Sequence, residues 1–243
     1  LILSKNFHTE LLKETVMPDL AFIGYPPIEP AWMAFKLLKK KGVPIILDVK
    51  DLWPWIFSQI APNLLKPIVK LIFFRWFFIA KLLIRNVDVL SSTSDPYLEW
   101  LCYNTGRTRK KNDFAFNLSA PVEKINKSEF IKAKQWWLKN HIKDKNIKTI
   151  YFAGSFMSVF EFDTVKHAAN EAQKINIPIQ FIFCGGGGYF ETIKNMFQDC
   201  KNVIFVGWVD YTKIKALADL SLASIAPYKN IENYQFNLPN KLI

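Results

Sequence analysis

Residues 148–188, KTIYFAGSFMSVFEFDTVKHAANEAQKINIPIQFIFCGGGG, decide the fold. Two apolar runs, KTIYFA and IPIQFIFC, are rich in β-branched and aromatic residues and flank a helix-length stretch from Glu161 to Lys174. Short strands of this kind separated by one helix predict a βαβ unit in a parallel sheet, with the strands buried on both faces. Each strand exit is marked by glycine: Gly154 with Ser155 after the first, and Gly185, Gly186, Gly187 and Gly188 after the second. Ligands of α/β proteins bind outside the carboxyl ends of such strands, and glycine there lets backbone N–H groups approach a phosphate. The unit is therefore the first candidate for a nucleotide site. Its glycines match neither a GxxxxGK loop nor a full GxGxxG fingerprint, because Phe190 stands where the last glycine is required, so a plain tight turn is the competing reading. The loop after Gly154 contains no lysine or arginine, which leaves N–H groups and the following helix terminus to hold any phosphate.

Working outward, NVIFVGWV at 202–209 is a further strand that ends at Gly207, Trp208 and Val209, and Asp210 can cap a helix from Tyr211. Another strand is expected between Leu220 and Ala226. The last residues, FNLPNKLI, place Pro239, Asn240 and Lys241 at a helix start, where Lys241 either neutralises a phosphate or is a solvated first-turn lysine. Toward the N-terminus, a strand from Asp19 to Gly24, a helix from Glu29 to Lys41 and a strand from Val43 to Val49 again alternate as in a parallel sheet. Just beyond that last strand lies Asp51, followed by Trp53 and Trp55. A carboxylate at a strand's carboxyl end, among rings that exclude water, can serve as base toward an acceptor hydroxyl. The alternative is an aspartate that closes a turn or caps a helix.

The chain has 243 residues, 50% of them hydrophobic, enough for two ordinary domains. Three widely spaced cysteines suit a reducing compartment, and three separated histidines supply no metal-binding motif. A net charge of +11 attracts phosphorylated substrates, anionic lipid and polyanions alike. Residues 64–85, LLKPIVKLIFFRWFFIAKLLIR, carry five basic residues and no acidic one. Charge interrupts this segment too often for it to span a bilayer. On a continuous helix Lys66, Lys70, Lys81 and Arg85 fall within about a third of the circumference, the pattern of a helix lying on an anionic membrane; a core-facing helix with a solvated basic face is the other reading. The run Arg107, Arg109, Lys110 and Lys111 is expected at the surface as a second basic patch, and its lack of interleaved aromatics makes it a poor nucleic-acid platform. Composition divides the chain into a first domain (1–118), a lysine-rich linker with a crossing helix (119–146) and a second domain (147–243). Both domains are expected to be incomplete, since the sequence opens inside an apolar run and stops in the first turn of a helix.

The order of LDVKDLWPWIF (47–57), the basic helix with NVDVLSST (86–93), YFAGS (151–155), FIFCGGGG (181–188), NVIFVGWV (202–209) and FNLPNKLI (236–243) resembles the retaining glycosyltransferases of the GT-B architecture. The resemblance is to the group that includes bacterial polysaccharide, capsule and lipopolysaccharide transferases. It implies an α/β fold of two Rossmann-like αβα domains facing across a cleft, with the acceptor on the first and a UDP- or GDP-sugar donor on the second. It further implies that Gly154 and Ser155 face the donor phosphates, Gly185 to Gly188 form the turn beside them, and Gly207, Trp208 and Val209 meet the base and ribose. Asp51 then falls in the loop of the reaction centre, and Lys241, with Asn240 beside it, precedes a family glutamate that would be residue 244. No metal and no tightly bound cofactor is implied. The expected acceptor is a glycan or lipid-linked glycan, and the expected location is the cytoplasmic face of the plasma membrane. One departure is that many members carry a basic pair after the first donor-domain strand, where this chain has Phe156, Met157, Val159 and Phe160. The other readings are a non-catalytic anion-binding scaffold and a sugar-nucleotide epimerase, the latter disfavoured because no Tyr-x-x-x-Lys follows a plausible cofactor domain.

Overall fold

Each half of the chain builds its own parallel sheet. The computed structural model describes residues 6, 9–11, 13–14, 16–117, 119, 125–142, 144 and 146–236. Two compact units emerge, one from Leu1–Ser119 together with Asn230–Asn240, the other built on Ala120–Lys229.

In the first unit, strands β1 (Ala21–Tyr25), β2 (Ile45–Val49), β3 (Val89–Ser92) and β4 (Phe114–Ala115) lie side by side in sequence order, all parallel. Helix α1 (Ile28–Lys40) links β1 to β2, and its face of Ile28, Ala31, Ala34, Phe35 and Leu38 is buried. The central strand β2 buries Ile45, Leu47 and Val49 completely, as a two-sided parallel strand must. Helix α2 (Trp55–Ile60) and a short 3-10 turn follow β2. Helix α5 (Asp95–Thr105) is bounded by a serine and a glycine: the Ser94 hydroxyl accepts the Tyr97 N–H, and Gly106 closes the helix at φ 72°.

The basic segment departs from the expected single helix. It forms α3 (Lys66–Ile72) and α4 (Phe74–Asn86), which meet at Phe73. The Phe73 ring stacks on Phe57 at 4.7 Å and packs against Trp76 at 5.5 Å, so an aromatic contact from α2 fixes the joint. Lys66 and Lys70 therefore stand on one helix and Lys81 and Arg85 on another, not on the single continuous helix expected. Among the described residues no helix is long and apolar enough to cross a membrane.

In the run at 107–111, Arg109, Lys110 and Lys111 are exposed as expected, and Arg107 is the correction. Arg107 is buried, with Nε and Nη2 on the two oxygens of Asp113 at 2.9 and 2.7 Å and Nη1 on the Ile84 and Val87 carbonyls. Lys110 donates to the Val87 carbonyl and Arg109 to Glu99 and Asp95. A carboxylate six residues along the chain turns Arg107 into an internal clamp that ties the end of α4 to the segment before β4.

The second unit contains α6 (Lys127–Asn140), β5 (Lys148–Ala153), α7 (Asp163–Lys174), β6 (Ile179–Cys184), α8 (Phe190–Met196), β7 (Val203–Gly207), α9 (Tyr211–Leu220) and β8 (Ala223–Ser224). Its sheet order is β7-β6-β5-β8, all parallel, so the strand order reverses beside β5. Helix α6, read from composition as a crossing helix, is part of this unit. Its Trp137 is fully buried, and the indole N–H donates to the Lys213 carbonyl on α9 at 2.8 Å. Beneath the sheet's carboxyl edge Phe152, Phe156, Phe160, Phe162, Phe183 and Phe197 form a buried cluster.

The tail moves in the opposite sense. Residues 230–236, assigned by composition to the second domain, group with the first unit. Helix α10 (Glu232–Gln235) brings Asn233, fully buried, to the Leu52 N–H at 2.9 Å and the Tyr97 hydroxyl at 3.3 Å.

Candidate functional site

The carboxyl ends of β5, β6 and β7 open into a cavity of about 370 Å³ lined by Gly154, Ser155, Cys184, Gly185, Gly186, Gly187, Trp208, Val209 and Ile214. The register explains the assembly. Ala153 pairs with Cys184, so Gly154 and Gly185 lie side by side one step beyond the sheet, where the Gly154 N–H donates to the Cys184 carbonyl at 3.0 Å. The Gly185 N–H donates to the Gly207 carbonyl at 2.7 Å, which ties the third strand to the second. Gly185 has φ 130°, and a Cβ there would stand 1.9 Å from the Gly154 carbonyl oxygen. Gly187 has φ 126°, and a Cβ there would stand 2.8 Å from the Phe156 carbonyl oxygen. No other residue type permits backbone to approach backbone so closely at these two positions.

Phe156 is the peg beneath the loop. Its ring is fully buried against Phe152 and Phe162, its N–H donates to the Gly186 carbonyl at 2.7 Å, and its carbonyl accepts the Tyr189 N–H at 3.2 Å. With the loop held there, the N–H groups of Ser155, Gly186 and Gly187 make no hydrogen bond to any described residue. The deeper wall is apolar: Cys184, Val209 and Ile214. Burial pushes the Cys184 thiol up to about 12, so it stays neutral and is no nucleophile at ordinary pH. Trp208 stands at the cavity with 80% of its surface exposed. Among the described residues no lysine or arginine lines the cavity. The start of α9 is satisfied by Asp210, whose carboxylate accepts the Lys213 N–H at 2.8 Å and pairs with the Lys213 ammonium at 2.7 Å.

Seven of the residues singled out from sequence thus meet in one cavity: Gly154, Ser155, Gly185, Gly186, Gly187, Trp208 and Val209. Gly207 lies outside its lining but supplies the carbonyl that anchors Gly185. Asn240 and Lys241 lie outside the described residues. Cys184, Ile214 and Phe156 were not singled out as contributors. The first two follow from strand pairing and helix phase, whereas the role of Phe156 depends on a backbone bond across to Gly186.

Asp51 belongs to the first unit, after β2, where its carbonyl accepts the Trp53 N–H at 2.9 Å. It caps no helix, because Pro54 occupies the N-cap of α2 without a side-chain bond. Burial raises the Asp51 carboxyl above the ordinary aspartate value, and the nearby Asn233 amide offsets this in part. Nδ2 of Asn233 is buried and makes no hydrogen bond to a described residue. Burial, and after it the same carboxylate, raises the Tyr97 phenol. Asp51, half-buried, thus lies among groups that include the buried Asn233 and Tyr97, in surroundings that disfavour its ionised form. Among the described residues no cluster of histidine, cysteine, aspartate and glutamate could hold a metal ion.

No protein-family model and no curated protein matches the sequence. Solved structures do. The chain is similar to α,α-trehalose 6-phosphate synthase from Burkholderia multivorans, with TM-score 0.55 and 13% identity over 93% of this chain and 54% of that one. It is similar to Anabaena HepE in complex with UDP, with TM-score 0.59 and 12% identity over 92% and 54%. It is also similar to the catalytic domain of starch synthase IV from Arabidopsis thaliana bound to ADP and acarbose, with TM-score 0.55 and 12% identity over 93% and 55%. The chain spans about half the length of these proteins. At such identities the likeness is one of fold. The two parallel-sheet units have the fold of the GT-B glycosyltransferases.

Proposed function

We propose that the protein serves glycosyl transfer from a nucleotide-diphosphate sugar, and that the glycine cavity of the second unit is the donor site. The observation that carries this reading is the row of N–H groups at Ser155, Gly186 and Gly187 that no described residue satisfies, held at the carboxyl ends of β5 and β6 in a GT-B fold. Such groups donate to diphosphate oxygens, and their value rises as the bond between the anomeric carbon and the β-phosphate oxygen breaks and negative charge collects on the leaving group. The exposed Trp208 indole offers a face for stacking a nucleobase, and Val209 and Ile214 offer apolar contact. On the acceptor side, Asp51 is held by its surroundings at a raised pKa, which suits a group that orients the acceptor hydroxyl and takes up its proton as the new glycosidic bond forms. Lys241 and Asn240 are assigned to the donor phosphates on resemblance alone. Retention at the anomeric carbon, independence of metal, an acceptor that is a membrane-associated glycan or lipid-linked glycan of the polysaccharide, capsule or lipopolysaccharide kind, and placement at the cytoplasmic face of the plasma membrane complete the reading.

The test is calorimetric titration of UDP, GDP and ADP into the protein, with Gly186→Val, whose side chain enters open space at the cavity lining, as the control. Binding abolished in the control supports the assignment. A folded protein that binds none of the three overturns it. Because no described residue of the cavity lining is a cation, a non-catalytic anion-binding role is the second reading, favoured by nucleotide binding without transfer of sugar from any UDP- or GDP-sugar offered.

A further inference from the structure

Helix α3 reverses the usual relation of a surface helix to its protein. At about 100° per residue, Pro67, Ile68, Leu71 and Ile72 share one side and Lys66 and Lys70 another. A helix that packs on a core buries the first side, yet α3 buries no residue at all. Ile68, Leu71 and Ile72 are 52%, 73% and 62% exposed, and Leu64 before them and Phe74 and Phe78 after them extend the same apolar surface.

Helix α4 adds direction. Its buried side is Ala80, Leu83 and Ile84, while Phe74, Phe78, Lys81 and Arg85 are exposed. Steps of four, three and four residues put these four on one stripe, two rings first and two cations roughly 10 Å further along the axis. None of the five bases in the segment, Lys66, Lys70, Arg75, Lys81 and Arg85, makes an ion pair with a described residue. No acidic residue occurs between Asp51 and Asp88.

We propose that α3 and the start of α4 form a wedge that enters an anionic lipid bilayer, with Leu64, Ile68, Leu71, Ile72, Phe74 and Phe78 in the acyl boundary and Lys81 and Arg85 at the lipid phosphates. Interfacial elements sink about 5–10 Å, which matches the spacing between the rings and the cations on α4. Lys66, Lys70 and Arg75 extend their alkyl stems along the apolar surface and place their charges at the headgroups. Charge selects this occupant over a second copy of the chain, since pairing two such surfaces would bring the same unpaired cations face to face. The contact is distinct from that expected of a basic strip: here the apolar side chains insert and the bases surround them. It does not depend on the glycosyltransferase reading.

Cosedimentation of the protein with vesicles tests it, using equal parts phosphatidylglycerol and phosphatidylcholine against phosphatidylcholine alone. The unaltered chain is expected to bind the anionic vesicles and to bind the zwitterionic ones far more weakly. Combining Leu71→Ser, Ile72→Ser, Phe74→Ser and Phe78→Ser is expected to weaken binding at least about tenfold at low and high salt. Lys81→Gln with Arg85→Gln is expected to lose about fivefold per residue, on anionic vesicles only. All six side chains are exposed, so the thermal transitions of both variants are expected to match that of the unaltered protein. Absence of binding by the unaltered chain, or undiminished binding by the serine variant, overturns the proposal. So does a dimer in sedimentation equilibrium that the serine variant dissociates, which would give the surface to a second copy.

Discussion

Replacing Gly185 by alanine tests the geometry of the donor cavity most severely. The new Cβ would stand 1.9 Å from the Gly154 carbonyl oxygen, whereas such contacts do not occur below 3.0 Å, so one of two backbones must move by about 1 Å. Both are pinned, Gly185 by its 2.7 Å bond to the Gly207 carbonyl and Gly154 by its 3.0 Å bond to the Cys184 carbonyl. Losing one of these costs about 1 kcal/mol, and holding alanine at φ 130° costs a further 1–3 kcal/mol or so. With residual crowding the total is about 3–5 kcal/mol, a large share of the stability of an ordinary domain. Gly186 is the internal control, because a Cβ there meets nothing within 4 Å and its φ is not in the left-handed region. Gly186→Ala should therefore lie within about 0.5 kcal/mol of the unaltered protein. Urea unfolding followed by far-ultraviolet circular dichroism measures both variants, and UDP titration reports on the cavity. Equal stabilities for Gly185→Ala and Gly186→Ala would refute the account of the strand exits.

Three further outcomes follow from the first unit. Asp113→Ala, which strands the buried Arg107 guanidinium, is expected to cost about 3–5 kcal/mol in urea unfolding at neutral pH. Burial raises the Asp113 carboxyl, but Arg107 and the N–H groups of Lys110 and Leu90 outweigh this and hold it below the ordinary value, so its contribution is present at neutral pH. That contribution is lost as pH falls below the unfolded carboxylate value of about 4 and through the lower folded one, and the gap between the two proteins should close there. Asp51→Asn has the opposite sign: the raised folded pKa means that the ionised form is disfavoured, so the variant should be the more stable at neutral pH, with the difference vanishing toward acid pH. A variant less stable than the unaltered protein at pH 7 would contradict the burial argument, and unimpaired sugar transfer by it would remove Asp51 from the reaction. Asn233→Ala deprives the Leu52 N–H and the Tyr97 hydroxyl of their acceptor and should lower stability by about 1–2 kcal/mol.

Much of the cavity could be read from the sequence because its determinants are local. An apolar strand followed by glycine, repeated at residues 148–155, 179–188 and 203–209, defines both the sheet and the edge at which it opens. What escaped depends on contacts between distant residues. The break at Phe73 is set by the Phe57 ring from another helix, and no helical periodicity contains that information. Helix α6 reads as polar linker because its lysines dominate composition, yet the position of Trp137 is decided by a carbonyl 76 residues away. Arg107 was the closest miss: its carboxylate partner lies six residues downstream, and an arginine followed by an aspartate just before a strand could have been weighed as a pair. Asn233 offered no such signal, since its partner at Leu52 is 181 residues away.

That last bond has a bearing on how the chain is made. The oxygen that satisfies Leu52 and Tyr97 is contributed by Asn233, while the whole second sheet is encoded in between. During synthesis the first unit can collapse around β2, but its polar interior stays unfinished until the ribosome has delivered all of the other unit. A fragment ending at Ser119 would carry that defect permanently. The order in which the two halves reach their final state is thus constrained by one asparagine, with the half that is translated first completed last.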